Sequence, residues 1–234
     1  MKVEIWSDIA CPWCYIGRRR FEKALNQFEY RDQVEVIWRS HQLDPNAPRN
    51  YDGSVNDLVM QRYGMSLKQV EASHAQITAL AHAEGLDYHL DKAHPVNSFD
   101  AHRLIHLAAH HHLQSEMKER LQKAYFTDGH VISDHETLVQ LAVEVGLDAA
   151  ETRQVLVDGS YGAEVRADGR RAQMLGSNGV PFFLFDEKYA VEGAQPTELF
   201  LTALERTWAE TRPIKKLMEV EQGAGVCKDE SCAI

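Results

Sequence analysis

Positive charge, cysteine and long apolar runs are all scarce in this chain of 234 residues. It carries 25 lysine and arginine residues against 35 aspartate and glutamate residues, a formal net charge of -10, and no dense basic block. A nucleic-acid-binding surface needs a basic footprint, so we expect no nucleic-acid partner. No apolar run approaches the roughly 18 residues that a membrane-spanning helix requires, so we expect no membrane partner either.

The N-terminal residues 1–8 lack the pattern of a secretory signal peptide. Glu4 and Asp8 interrupt them, and no small-residue cleavage site follows an apolar core. We therefore expect a cytoplasmic protein. Permanent disulfides are rare in that reducing compartment. The four cysteines therefore indicate catalysis, redox sensing or metal binding rather than a disulfide framework.

Hydrophobic periodicity predicts a βαβ unit at the N-terminus, and a hydrophobic content of 44% supports a real core. Residues 3–7 and 34–38 are rich in β-branched and aromatic side chains, which suits strands. Between them, residues 12–28 place apolar side chains at helical spacing. Two strands joined by a helix must pair in parallel, normally through a right-handed crossover.

Helical spacing then continues through the middle of the chain. Asp134 is a candidate N-cap, and glycines stand where several of the helices should stop. We predict seven helices, over residues 56–63, 67–84, 98–112, 116–126, 134–145, 149–157 and 161–175.

Strand signals return near the C-terminus. Residues 182–185 and 189–191 flank a short turn and predict a hairpin, and residues 196–208 predict a closing helix with Pro196 near its start. The fold class is therefore α/β: a thioredoxin fold with a large all-helical insertion between its βαβ and ββα halves. We divide the chain into an N-terminal half, the insertion, a C-terminal half and a flexible tail, at residues 1–50, 51–175, 176–210 and 211–234.

The first cysteine pair lies between a predicted strand and a predicted helix, in Cys11-Pro12-Trp13-Cys14. Cys11 falls at the helix N-terminus, where free N–H groups and the helix dipole favour a thiolate nucleophile. Cys14 follows one turn later, close enough to resolve a mixed disulfide on Cys11. Pro12 suits the first helical turn because its missing N–H is not needed there. Trp13 could contact an apolar substrate segment.

Two other interpretations of this pair stay open. Cys11 and Cys14 could form half of a zinc site that Cys227 and Cys232 complete, as in a zinc-binding interaction module. Alternatively, the pair could be purely structural. The strand and helix around Cys11 weigh against zinc, because zinc knuckles usually sit on turns between short strands.

Val180-Pro181 lies between the last insertion helix and the predicted hairpin. In the inferred fold this turn is beside the cysteine pair. A cis peptide bond before Pro181 would expose the Val180 backbone to pair with a substrate strand. The alternative is an ordinary turn proline, which the Cys-x-x-Cys motif in the expected chain order disfavours.

These residues resemble the DsbA-like thioredoxin superfamily and, within it, the FrnE-like branch. The resemblance extends from Val3 to about Leu204. The resemblance rests on six sequence segments: residues 7–17, 40–45, 97–104, 124–126, 179–183 and 191–196.

The resemblance implies disulfide exchange at Cys11 and Cys14, with protein or small-molecule disulfides as substrates. It also implies a cis bond before Pro181 and, through the stretch from Asn97 to His102, that these two residues line the cleft. We expect no resident cofactor and no metal, with glutathione as a co-substrate. The same superfamily contains glutathione-dependent 2-hydroxychromene-2-carboxylate isomerases and kappa-class transferases, which typically have serine at the position of Cys11.

The tail carries a second closely spaced pair, Cys227 and Cys232, among charged residues. We interpret it as a second redox pair that exchanges with Cys11 and Cys14, as the resemblance also implies. The alternatives are a loose tail and a metal clip. Histidines at 102, 106 and 110 share a helix face, a spacing that can bind a transition metal, but we interpret them as a polar face.

Overall fold

A four-stranded mixed sheet forms the centre of the fold in the computed structural model, which describes residues 1–49 and 51–211. Its strands are β1 (Lys2–Ser7), β2 (Glu35–Ser40), β3 (Phe182–Phe185) and β4 (Tyr189–Glu192), in the order β2-β1-β3-β4. Strand β1 pairs in parallel with β2 and antiparallel with β3, and β3 pairs antiparallel with β4. The predicted parallel βαβ unit and C-terminal hairpin are confirmed.

Helices α1 (Pro12–Gln27) and α9 (Thr197–Thr211) cover one face of this sheet. Phe21 of α1 lies 5.6 Å from Phe183 of β3 and 5.9 Å from Phe200 of α9, measured between ring centroids. All three rings are almost completely buried, and each contributes about 1.5–3 kcal/mol by leaving water. This aromatic cluster fixes α1, and therefore the cysteine motif at its start, against the sheet.

Seven helices separate β2 from β3. They are α2 (Val55–Tyr63), α3 (Leu67–Ala83), α4 (Phe99–His110), α5 (Gln114–Lys123), α6 (His135–Glu144), α7 (Ala149–Asp158) and α8 (Gly162–Met174). A π-helical turn, Ala124–Asp128, continues α5. The described part of this segment contains no strand element, which confirms the thioredoxin fold with an all-helical insertion. The four domain boundaries stay predictions.

Side-chain caps explain where several of these helices begin. The Asp134 carboxylate accepts a hydrogen bond from the backbone N–H of Thr137 at 2.8 Å, as predicted for an N-cap, and Asp148 does the same for Glu151 at 2.8 Å. Ser54 and Asp57 cap α2 reciprocally. Each cap satisfies an N–H group that the helix itself leaves unpaired.

The insertion also closes the second face of the sheet. Helix α8 lies over Trp6, whose indole N–H donates to the Asp168 carbonyl at 2.9 Å. Glu4 is buried under the same helix and pairs with Arg39 at 2.6 Å and Arg171 at 2.9 Å. A buried carboxylate needs such partners, so these pairs attach α8 to β1 and β2.

No helix within residues 1–49 and 51–211 is long and apolar enough to cross a membrane.

Candidate active site

The two N-terminal cysteines begin helix α1. Cys11 is the N-cap residue, with extended backbone angles, and Pro12 is the first helical residue. The backbone N–H of Cys14 donates to the Cys11 carbonyl at 3.0 Å, which places the two side chains one turn apart. Both cysteines are free thiols, and their exposed fractions are 4% for Cys11 and 1% for Cys14. Both side chains are buried, and Cys11 lies at the positive end of the helix dipole.

The Val180–Pro181 peptide bond is cis, as the sequence predicts. The Cys11 thiol donates to the Val180 carbonyl across 3.8 Å, so this turn lies directly against that cysteine. Val180 is half-buried and Pro181 is buried. The fold therefore brings together the cysteine motif and the proline turn, although 169 residues separate Cys11 from Val180 along the chain.

Gly17 permits this close approach, which sequence reasoning missed. A Cβ atom on Gly17 would lie 3.0 Å from Cγ of Pro181 and 3.3 Å from Cα of Ala194. Only a residue without a side chain lets α1 pass so near the proline turn. The available signal was a glycine on the apolar face of a helix, one turn after Cys14.

The insertion reaches the cysteine motif through Tyr88, which lies between α3 and α4. Its hydroxyl donates to the Pro12 carbonyl at 2.7 Å, and its ring stacks on Phe126 at 4.6 Å. Burial raises the pKa of the Tyr88 hydroxyl, and the neighbouring cysteines raise it further. Trp13, by contrast, is 37% exposed beside Cys11. The sequence did not single out Tyr88, whose only signal is an aromatic residue in a polar connection.

A buried carboxylate, Asp8, lies beneath the motif. It accepts hydrogen bonds from the Leu43 backbone N–H at 2.7 Å and from the His102 ring at 3.3 Å. Burial disfavours its charged form, but His102 and the Leu43 N–H outweigh that effect and hold the pKa of Asp8 well below its usual range. Burial lowers the pKa of the His102 ring, although the neighbouring Asp8 acts in the opposite direction.

The predicted cleft-lining role of His102 needs correction, whereas that of the half-buried Asn97 stays a prediction. His102 is fully buried and faces Asp8, so it lies beneath the motif rather than on an open cleft. The Asn97 side chain accepts from Gln42 at 3.1 Å and donates to the Ala47 carbonyl at 2.6 Å. Its polar atoms are thus engaged in holding the segment after β2 against the start of α4.

A second buried charged residue near the motif is Lys118 of α5, which is 1% exposed. Burial and the neighbouring Cys11 raise the pKa of the Cys14 thiol well above its usual range, whereas Lys118 acts in the opposite direction. The Lys118 ammonium donates to the Ser7 carbonyl at 3.1 Å. Burial lowers the pKa of Lys118 to about 8, although Cys14 and Asp8 favour its charged form. Sequence reasoning missed this residue because lysine is usually exposed.

Within the part of the chain that the structure describes, no three His, Cys, Asp or Glu side chains are placed to hold a metal ion. The second predicted pair, Cys227 and Cys232, lies outside the described residues.

Comparison with known proteins identifies the family. Residues 2–205 match the DSBA-like thioredoxin domain, so the chain belongs to the DsbA-like thioredoxin family. A probable DsbA oxidoreductase from Streptomyces coelicolor is 46% identical, with a TM-score of 0.88 over 100% of this chain and 99% of that one. The protein YwbO of Bacillus subtilis, of uncharacterised function, is 26% identical over 86% of this chain and 94% of its own length.

A more distant solved structure is the cytosolic disulfide reductase DsbM from Pseudomonas aeruginosa. It is 17% identical, with a TM-score of 0.64 over 90% of this chain and 100% of that one, and it was also solved with glutathione. At that identity the likeness shows the fold alone. Family and fold together identify the chain as a DsbA-like protein with a thioredoxin fold.

Proposed function

We propose that this protein is a thiol–disulfide oxidoreductase or isomerase in which Cys11 attacks and Cys14 resolves. The observation that carries the proposal is the position of Cys11 at the N-terminus of α1, with its sulfur 3.8 Å from the Val180 carbonyl and Cys14 one turn behind it. A nucleophilic thiolate, a resolving thiol and a substrate-binding backbone are the three parts that disulfide exchange needs.

In the first step, the Cys11 thiolate attacks one sulfur of a substrate disulfide. A bond forms between that sulfur and Cys11, the substrate S–S bond breaks, and the other substrate sulfur leaves as a thiolate that takes up a proton. Cys11 is suited to this step because it is the N-cap residue of α1, where the helix dipole favours a thiolate. Burial raises the pKa of Cys14, so Cys14 stays protonated and does not compete.

In the second step, Cys14 loses its proton and attacks the sulfur of Cys11. The Cys11–Cys14 disulfide forms, the mixed disulfide breaks, and the second substrate sulfur leaves with the electron pair. The substrate has then gained two electrons and two protons, and the cysteine pair has lost them. Run in reverse, the same steps oxidise a dithiol substrate. Isomerisation follows when a different thiol of the substrate, in place of Cys14, attacks the mixed disulfide and releases the Cys11 thiolate.

Substrates bind at the surface formed by Pro12, Trp13 and Val180 with Pro181. The half-exposed Trp13 ring offers an apolar contact, and the Val180 backbone offers a pairing edge beside Cys11. Proteins and small molecules with disulfides are the substrates that this surface suits. The glutathione complex of the Pseudomonas aeruginosa relative supports glutathione as a co-substrate, and its cytosolic location supports a cytoplasmic role here.

The test is steady-state reduction of a disulfide-bonded peptide with glutathione as the reductant. All variants carry Cys227→Ser and Cys232→Ser, so that only the N-terminal pair reacts. We expect Cys11→Ser to abolish turnover. We expect Cys14→Ser to accumulate the mixed disulfide on Cys11 and to turn over more slowly than the wild type, because only glutathione can then resolve it. Full turnover in Cys14→Ser would favour a glutathione-dependent isomerase or transferase. Stoichiometric zinc in the chain with all four cysteines intact, without thiol turnover, would favour a zinc-binding module.

For the tail, we propose that Cys227 and Cys232 form a reversible disulfide that exchanges with the N-terminal pair. The proposal rests on their spacing in the sequence. Trapping with Cys14 and Cys232 both replaced by serine should give a Cys11–Cys227 disulfide detectable by peptide mapping. Its absence, with unchanged turnover after truncation at Glu221, would contradict the exchange.

A further inference from the structure

The guanidinium of Arg20, in the middle of α1, bonds two acceptors from distant parts of the chain. Its Nε donates to the carboxylate of Glu84, the residue that ends α3, at 2.7 Å. Its Nη1 donates to the carbonyl of Ala194, just after β4, at 2.6 Å. Only 17% of the Arg20 side chain is exposed. Arg20 thereby joins α1 both to the helical insertion and to the C-terminal half of the fold.

The Ala194 carbonyl belongs to the loop that holds the proline turn. Beyond the paired residues of β3 and β4, the Gly193 N–H donates to the Pro181 carbonyl at 2.8 Å. Gly193 has a φ of +78°, so the chain turns sharply before Ala194. A Cβ atom on Gly17 of α1 would lie only 3.3 Å from the Ala194 Cα. The loop is therefore in contact with α1 on one side and with the proline turn on the other.

The turn that this loop holds is the substrate-binding part of the proposed site. Val180 precedes the cis bond, and its carbonyl lies 3.8 Å from the Cys11 sulfur. A substrate strand that pairs with this backbone needs the turn at a fixed distance from the nucleophile, because a misplacement of about 1 Å can cost about 10²-fold in rate. Arg20 bonds the loop behind the turn from the same helix that has Cys11 at its start.

The ion pair with Glu84 orients the guanidinium toward the loop. Glu84 is 12% exposed and also accepts a hydrogen bond from the Lys23 ammonium at 2.6 Å. Burial disfavours the charged form of Glu84, but Lys23 and Arg20 outweigh this effect and lower the pKa of its carboxyl. Because the guanidinium is planar and rigid, fixing its Nε on the carboxylate also fixes the direction in which Nη1 points to the Ala194 carbonyl.

We propose that Arg20 is a positioning residue for the proposed disulfide exchange, on which this inference rests. Arg20 holds the loop at Ala194, and through that loop the proline turn, at the distance from Cys11 that a substrate strand requires. Its side chain bonds neither the cysteines nor the turn directly. Loss of Arg20 therefore weakens reaction with substrates that pair with the turn and leaves the reactivity of the Cys11 thiolate itself unchanged.

The test compares two reagents on one thiol. The parent protein is the full chain with Cys14→Ser, Cys227→Ser and Cys232→Ser, so that only Cys11 reacts. A disulfide-bonded peptide reports on pairing with the turn, whereas iodoacetamide is too small to use the turn and reports on the thiolate alone. We expect Arg20→Met to slow mixed-disulfide formation with the peptide by about tenfold, which corresponds to losing one hydrogen bond from a charged group, and to leave alkylation within about twofold.

The matched control is Lys23→Met. Lys23 lies one turn after Arg20 on the same helix and pairs with the same Glu84 carboxylate, but its ammonium does not bond the Ala194 carbonyl. We expect both rates in this variant to equal those of the parent protein. An equal loss of the peptide rate in Lys23→Met would show that the ion pairs of Glu84, rather than the bond to Ala194, set this rate and would overturn the inference.

An unchanged peptide rate in Arg20→Met, or an equal fall in both rates, would also overturn the inference while leaving the proposed function intact. Failure of the parent protein to form any mixed disulfide on Cys11 would instead overturn the proposed function. If Arg20→Met does not fold, Arg20→Lys supplies the answer, because one ammonium cannot reproduce the guanidinium fork that spans Glu84 and Ala194. We expect its peptide rate to fall by about threefold or more with unchanged alkylation, and a peptide rate equal to that of the parent protein would refute the positioning role.

Discussion

Replacing Gly17 with alanine should separate helix α1 from the proline turn. The added Cβ would lie 3.0 Å from Cγ of Pro181 and 3.3 Å from Cα of Ala194. Carbon atoms pack best at about 3.5–4.0 Å, so the neighbours must retreat by about 0.5 Å. Neither moves easily, because the Ala194 carbonyl accepts a hydrogen bond from Arg20 at 2.6 Å and the Pro181 carbonyl accepts one from the Gly193 N–H at 2.8 Å.

Two opposing effects set the size of the change. Overpacking a well-packed site costs about 1–3 kcal/mol, whereas replacing a helical glycine by alanine stabilises the helix by about 0.5–1 kcal/mol. We therefore expect Gly17→Ala to lower the free energy of unfolding by up to about 2.5 kcal/mol, with a central value of about 1 kcal/mol. Because the clash is with Pro181 itself, we also expect slower formation of the mixed disulfide on Cys11.

Equilibrium unfolding in urea measures the stability change, and Gly169→Ala is the matched control. Gly169 lies within α8 and has no atom within 4 Å of an added Cβ. The same substitution there should stabilise the protein by about 0.5–1 kcal/mol through helix propensity alone. A Gly17→Ala variant that is stabilised as much as Gly169→Ala would refute the close packing of Gly17 against the proline turn.

Two further predictions concern the buried polar groups. Burial lowers the pKa values of His41, His74 and His102. The unfolded chain therefore binds more protons than the folded one, and the free energy of unfolding should fall as the pH drops below about 6.5. In urea titrations between pH 5 and 7, His102→Gln should weaken this pH dependence, and an unchanged dependence would contradict the prediction. Tyr88→Phe removes the hydrogen bond to the Pro12 carbonyl and should lower the free energy of unfolding by about 0.5–1.5 kcal/mol. We also expect faster alkylation of Cys11 in this variant. An unfolding midpoint equal to that of the wild type would show that this hydrogen bond contributes nothing to stability.

Local patterns predicted the regular elements well because each depends on its own periodicity. Strand β3 was predicted at its observed bounds, and α1 ended one residue earlier than predicted. The π-helical turn Ala124–Asp128 was not predicted, because the side chains around it have the same spacing as an α-helix and only the backbone differs. Helix α8 ends at Met174, one residue before the predicted end of that helix.

The cysteine motif and the proline turn could be paired from their order along the chain, because the thioredoxin fold brings the start of α1 and the turn before β3 together. The side chains that surround the cysteine pair could not be predicted from the sequence. Lys118 is polar in any sequence pattern, and its burial follows only from the packing of α5 on α1. Likewise, the contact of Tyr88 with Pro12 joins residues 76 positions apart that no local signal connects.

The most direct test of the central claim is to trap the intermediate of the first step. The Cys14→Ser variant, with Cys227 and Cys232 also replaced by serine, is mixed with oxidised glutathione, and the product is analysed by intact mass and peptide mapping. We expect one glutathione per chain, attached to Cys11, and no adduct when Cys11 is replaced instead and Cys14 is retained. Preferential labelling of Cys14, or no adduct at either cysteine, would contradict the assignment of Cys11 as the nucleophile.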